Sequence, residues 1–196
     1  MADWYRQTEW NDEIEAFFFE KLRRARAQRD QYIVIQALTL AESFPEVALR
    51  LVDLYFETRT DNFDDARARM AASRARFASG GYEKALDEYL EGITDKGDGQ
   101  ALYVGSPIQF AFLAARYRSE KHYLPALDIL HGIDQPPDTA PDMVLMYNAG
   151  YALILHETGK DPNGAAAMAE KVLALGDDFL AQFADVVWRL RGITRR

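Results

Sequence analysis

An all-α fold built of stacked helical hairpins is what this sequence predicts, and three observations predict it. Apolar residues recur at i, i+3 and i+4 almost throughout, while no β-branched alternation persists. Helix-breaking clusters punctuate the chain: "SFPE" from Ser43, "SGG" from Ser79, "DKGDG" from Asp95, "DQPPDTAP" from Asp134 and "GKDPNG" from Gly159. Finally, the chain matches itself. "SGGYEKALDEYLEGI" from Ser79 aligns with "SEKHYLPALDILHGI" from Ser119, and Tyr82, Ala85, Leu86 and Asp87 pair with Tyr123, Ala126, Leu127 and Asp128 at an offset of 41 residues. Both copies close on Gly-Ile. Looser copies begin at Ala41 and Glu157. Hairpins that cannot bury an apolar face alone stack on their neighbours.

About ten helices follow, over 10–27, 29–42, 45–58, 62–79, 82–94, 106–119, 122–132, 141–158, 162–175 and 178–192. Pro45, Pro107 and Pro162 fall at helix starts, where a missing N–H costs nothing. Asp61, Ser106 and Asp161 are expected N-caps. The proline-rich stretch 134–141 is the expected hinge, too short for a domain linker. One domain over 1–196 is expected: a capping segment and helix at 1–28, degenerate repeats over 29–175 and a capping helix at 176–196.

The chain has 196 residues, 48% of them hydrophobic and 28% charged, which is a globular composition. Its net charge of -8 repels phosphate backbones, so no nucleic-acid partner is expected. The absence of cysteine excludes disulfides, thiolate metal sites and cysteine nucleophiles. The run "MADWYRQTEWNDE" has neither a basic n-region nor an apolar h-region, and no stretch approaches ~18 uninterrupted apolar residues. No signal peptide and no membrane association are expected, and a cytoplasmic location follows. The Ala/Arg/Asp-rich composition points to a bacterium.

Chemistry is sparse. The three histidines, His122, His131 and His156, form no metal-binding pair and are expected in loops and on the surface. "HETGKD" lacks the glycine and hydroxyl spacing of a phosphate loop. Asp64-Asp65 and Asp177-Asp178 sit at helix starts, where acids favour the dipole. The basic run "KLRRARAQR" from Lys21 balances "NDEIE" along the same helix. No catalytic residue, metal or cofactor is expected.

Two aromatics lie off their helices' apolar stripes. With Ile14 as origin, Trp10, Phe17, Phe18, Leu22 and Ala25 fall within roughly 80°, while Phe19 falls about 140° away. Phe19 is thus the odd member of "FFF". In the last helix Phe179, Leu180, Phe183, Val186, Val187 and Leu190 share a stripe. Trp188 lies about 140° from Phe183, beside Ala181, Ala184 and Gly192. Either aromatic could pack internally, Phe19 under Trp4 and Tyr5 and Trp188 under the C-terminal tail. Alternatively, each marks an interface on an end helix, where the outer face should be polar.

The hairpins resemble the tetratricopeptide repeat (TPR) family. Ser73, Gly80, Tyr82, Ala85 and Tyr89 match its small, turn and packing positions. Phe110, Leu113, Ala114, Tyr117, Tyr123, Ala126 and Leu130 match a second copy, and Gly150, Gly159 and Ala165–Ala167 match a third in part. The period is nearer forty than the usual ~34, and no copy carries the consensus Trp. The run from Trp4 also resembles the opening of a family of bacterial TPR proteins of uncharacterised activity. The resemblance implies a right-handed α-solenoid whose first helices line a concave groove. Carried over, that groove comprises Arg67, Met70, Arg74 and Phe77, then Phe112, Ala115 and Arg118, then Tyr147, Asn148 and Tyr151, with Arg29, Tyr32 and Gln36 from the first hairpin. A carboxylate clamp would need polar residues where Ala111 and Ala115 stand, and only Asn148 suits one.

The expected function is a non-enzymatic protein-protein interaction module, binding a protein or peptide partner through the groove or an end helix; Arg67, Arg74 and Arg118 in the groove would suit a segment that is acidic or carries a free C-terminus. Two alternatives stand: an immunity protein neutralising a basic toxin, and a homodimeric regulatory or scaffold subunit. A groove filled by the chain's own segments is the alternative to a ligand groove.

Overall fold

The computed structural model describes residues 3–26, 28–94 and 105–195. The punctuation from Asp95 lies outside them. Among the described residues the chain is all-helical, with no strand. It forms two compact units, Met1–Gly105 and Ser106–Arg196. The proline-rich stretch expected as the hinge lies inside the second unit.

The first unit holds α1 (Asp12–Arg24), α2 (Arg29–Leu40), α3 (Pro45–Thr58), α4 (Asp65–Ala78) and α5 (Tyr82–Thr94). Hairpins α2/α3 and α4/α5 pack through α3 on α4 and α2 on α4. The Asn11 side chain caps α1, accepting from the Ile14 N–H at 2.9 Å. Acids in its first turn and Lys21, Arg23 and Arg24 in its last favour the dipole at both ends. The α4/α5 pair is close because Gly92 has no side chain. A Cβ there would stand 3.2 Å from the Ala66 carbonyl oxygen. Arg69 then bridges α4 to Glu88 and Glu91 of α5 at 2.8 and 3.0 Å.

Asp61 does not cap α4, as the sequence reading expected. The helix starts later, at Asp65, and Asp61 instead folds a short turn, accepting from the Phe63 N–H at 2.9 Å. Asp64 takes the flanking position, and its carboxylate receives Arg67 rather than a backbone donor.

The second unit holds α6 (Pro107–Arg116), α7 (Tyr123–His131), α8 (Pro141–Thr158), α9 (Pro162–Leu173), α10 (Asp177–Leu180) and α11 (Ala184–Thr194). Ser106 and Asp161 cap α6 and α9 through their side chains as expected. Helix α8 packs on both α6 and α9, and α11 covers α9 and part of α8. The α6/α8 approach depends on Gly150, whose added Cβ would meet the backbone of Ala111 and Phe112 at 3.2–3.3 Å. The single last helix expected over 178–192 is two, interrupted by a 3₁₀ turn at Ala181–Phe183.

The repeat is real in part. Helices α5 and α7 both open on the matching tyrosine, and Ala85 and Ala126 are both fully buried. The closing glycines are not equivalent: Gly92 is inside α5, whereas Gly132 is the residue after α7. Helix α7 is shorter at its C-terminal end, stopping at His131 where α5 runs on to Thr94, and a 3₁₀ turn at Glu120–His122 precedes it.

Two buried phenols tie hairpins together. The Tyr55 hydroxyl donates to Asp65 at 2.8 Å, and the Tyr123 hydroxyl donates to Glu157. Burial, and then the acceptor carboxylate, push both phenols far above the usual tyrosine value. Each phenol therefore holds its proton more tightly folded than unfolded. Their contribution is complete below the unfolded tyrosine pKa of about 10 and is lost progressively as pH rises from there through the raised folded value. Urea unfolding midpoints should fall above about pH 10, and Tyr55→Phe or Tyr123→Phe should flatten that fall. An equal fall in wild type and variants would contradict this assignment.

Candidate functional site

On the first unit, the α2 face expected to open a groove is covered by the chain itself. Tyr5 stacks on Tyr32 with ring centroids 4.4 Å apart, and Trp4 packs on the same ring at 4.9 Å. Gln36 is fully buried. Its amide accepts from the Gln7 N–H at 2.9 Å and donates to the Gln7 carbonyl at 2.7 Å. Arg29 is engaged with Thr58 at 2.7 Å. The segment before α1 thus occupies the place of a ligand.

The remaining groove candidates scatter. Arg67 is held by Asp64 at 2.7 Å, its side chain 23% exposed, and borders a small recess with Arg6. Phe77 is half-buried and its ring lies 6.3 Å from that of Tyr82; Arg74 is exposed. Phe112 and Tyr147 are core residues: Phe112 meets Phe183 edge-on, and the Tyr147 hydroxyl donates to the Leu130 carbonyl. Tyr151 is half-buried between Tyr147 and His131. Asn148 is buried and donates to the Val144 carbonyl at 2.8 Å. Ala111 and Ala115 are fully buried.

Both off-stripe aromatics have definite positions, and they differ. Phe19 is half-buried against the first core, 5.4 Å from Phe18. Phe17 is instead the odd member of "FFF", 43% exposed under Lys21, whose Nζ lies 5.2 Å from its ring. The reason is directional. Phe17 and Phe19 lie equally far round the helix from fully buried Phe18. Glu15, one turn before Phe19, reaches Arg50 of α3 at 3.2 Å, so that flank has a neighbour.

Trp188 is 76% exposed, more than any other large apolar side chain among the described residues. Val186, Val187, Leu190 and Ile193 hold α11 down, and the helical period turns Trp188 outward. It borders a groove of about 540 Å³ with Arg118, His156, Glu157, Arg191 and Arg195. Leu153 and Gly192 complete the apolar side. Of the small residues expected beside the indole, Gly192 lines the groove, whereas Ala181 and Ala184 do not.

One arginine here is structural. Arg189 is 11% exposed and donates to the Ala115 and Arg116 carbonyls at 3.0–3.1 Å, satisfying the end of α6. It also pairs with Glu157, which accepts from Tyr123 as well. Arg191 pairs with Asp177, an aspartate 91% exposed, at 3.3 Å. Arg118 is 63% exposed, and its Nε lies 3.5 Å from Glu157. Among the described residues Glu157 is the one acid lining the groove, and its charge is already engaged.

Sequence reasoning missed that Arg118 and Trp188, 70 residues apart in the chain, share one surface. It also misplaced His122, which is buried, with its Nδ1 2.8 Å from the Ser119 hydroxyl and its ring edge-on to Phe110. The 3₁₀ turn before α7 swings the imidazole inward. Among the described residues no three His, Asp or Glu side chains gather as a metal-binding group, and no helix is long and apolar enough to cross a membrane. Comparison with family models, curated proteins and solved structures finds no match.

Proposed function

We propose that this chain is a TPR-like, non-enzymatic module that binds a protein partner through the α11 surface around Trp188. The observation that carries the reading is the indole itself, exposed on a helix whose other large apolar residues are buried. Trp and Arg are the side chains that most often anchor protein interfaces. Exposed solitary leucines need no explanation, but an indole bordered by guanidinium groups and a concave wall has the composition of an anchor site. The groove carried over from the TPR resemblance receives less support, since several of its positions are core.

Affinity capture from the native cell tests this reading, comparing the wild-type chain with Trp188→Ala at equal loading. The expected result is a protein retained by the wild type and lost from the variant. Retention of a second copy of this chain would assign the surface to a homodimer. A basic toxin retained equally by both would reject the Trp188 surface and favour the immunity reading.

A further inference from the structure

We infer that the Trp188 groove selects an acidic peptide segment, with Asp or Glu side chains flanking a bulky apolar one, and that Arg118 is its specificity-determining residue. This rests on the reading of the Trp188 surface as a docking site.

Arg118 occupies a position that α4 and α8 give to glycine. It follows α6 in the left-handed conformation, φ 54°, as the only non-glycine residue with positive φ among those described. Its N–H donates to the Ala115 carbonyl at 3.3 Å, and the Ser119 N–H donates to the Ala114 carbonyl at 3.0 Å. That is a Schellman-type helix end, where glycine avoids the steric penalty of a Cβ. Helix α4 closes the same way, with Gly80 at φ 76° and the Gly81 N–H on the Arg76 carbonyl at 2.8 Å. Helix α8 closes on Gly159 at φ 65°. At one of three comparable helix ends, then, an arginine stands where glycine costs less.

That arginine contributes little to the fold. Its ion-pair partner among the described residues, Glu157 at 3.5 Å, is already engaged by Arg189 and Tyr123. Arg118, Arg189, Arg191 and Arg195 line this groove against the single carboxylate of Glu157, and even with Arg191 paired to exposed Asp177 they make a locally positive rim in a protein of net charge -8, a field that concentrates carboxylates. The guanidinium fork of Arg118 suits a carboxylate bidentately. Trp188 offers a flat apolar platform for the neighbouring side chain. The overall negative charge disfavours a nucleic-acid strand as occupant.

The test is selection from a phage-displayed library of random dodecapeptides on the full chain, with Trp188→Ala as the counter-selection. The expected Trp188-dependent peptides are rich in Asp and Glu around Leu, Phe or Trp, and their binding weakens with added salt. For the best synthetic peptide, Arg118→Gly should lower affinity at least tenfold while raising the melting temperature by about 2–4 °C. Arg118→Lys should fall between. A purely structural arginine would give no such opposition of stability and binding. Trp188-dependent peptides that are neutral or basic would overturn this inference and leave the docking reading standing. If no peptide depends on Trp188, both fall. Oligothymidylate bound more tightly than the selected peptides would also overturn it.

Discussion

Phe18→Ala should destabilise the first unit by about 3–5 kcal/mol, whereas Phe17→Ala should cost less than about 1 kcal/mol. Phe18 is fully buried, with Trp4 and Trp10 at 5.6 Å and Phe19 at 5.4 Å between ring centroids. Removing the benzyl group leaves a cavity those large rings cannot easily collapse into. It also loosens the segment before α1, because Trp4 spans Phe18 and Tyr32. Phe17 loses only an exposed contact with Lys21. Urea unfolding followed by near-ultraviolet circular dichroism checks both. Equal losses for the two variants would show that α1 is rotated from the orientation described.

Arg189→Ala should cost about 2–4 kcal/mol, a large effect for a position beside an exposed indole. The guanidinium closes α6 by donating to Ala115 and Arg116 and also neutralises Glu157. Its loss takes this donor from the Arg116 carbonyl, leaves the carbonyl of fully buried Ala115 with the long Arg118 N–H contact, and leaves the partly buried Glu157 carboxylate with Tyr123 and the more distant Arg118. Arg189→Lys should recover less than half, because one ammonium cannot reproduce the planar fork. Chemical unfolding of both variants supplies the check. A loss below about 0.5 kcal/mol for Arg189→Ala would move this residue into the binding rim, alongside Arg118.

The helical class and most helix starts were legible in the sequence because periodicity and punctuation are local signals. Pro45, Pro107 and Pro162 open α3, α6 and α9, and Ser106 and Asp161 cap as their types require. Trp188 was legible as an off-stripe residue for the same reason: the stripe of α11 is set by Val186, Val187, Leu190 and Ile193. What was not legible depends on distant partners. The choice between Phe17 and Phe19 is set by what lies beside α1: Phe19 packs against the first core, on the flank where Glu15 meets Arg50 of α3. Tyr32 and Gln36 look like groove residues until the segment around Gln7 covers them. The pairing of Arg118 with Trp188 requires α11 to return across the end of α8. Nor does the residue type at Arg118 announce a left-handed backbone, since glycine ordinarily signals one.

The measurement that bears most directly on the Trp188 surface is calorimetric titration of the captured partner into wild type and Trp188→Ala, with melting curves of both proteins. The docking reading predicts an affinity loss of about 2 kcal/mol or more, roughly thirtyfold, with the melting temperature nearly unchanged. Unchanged affinity, or a melting temperature lowered as a core deletion of about 3 kcal/mol would lower it, would contradict it.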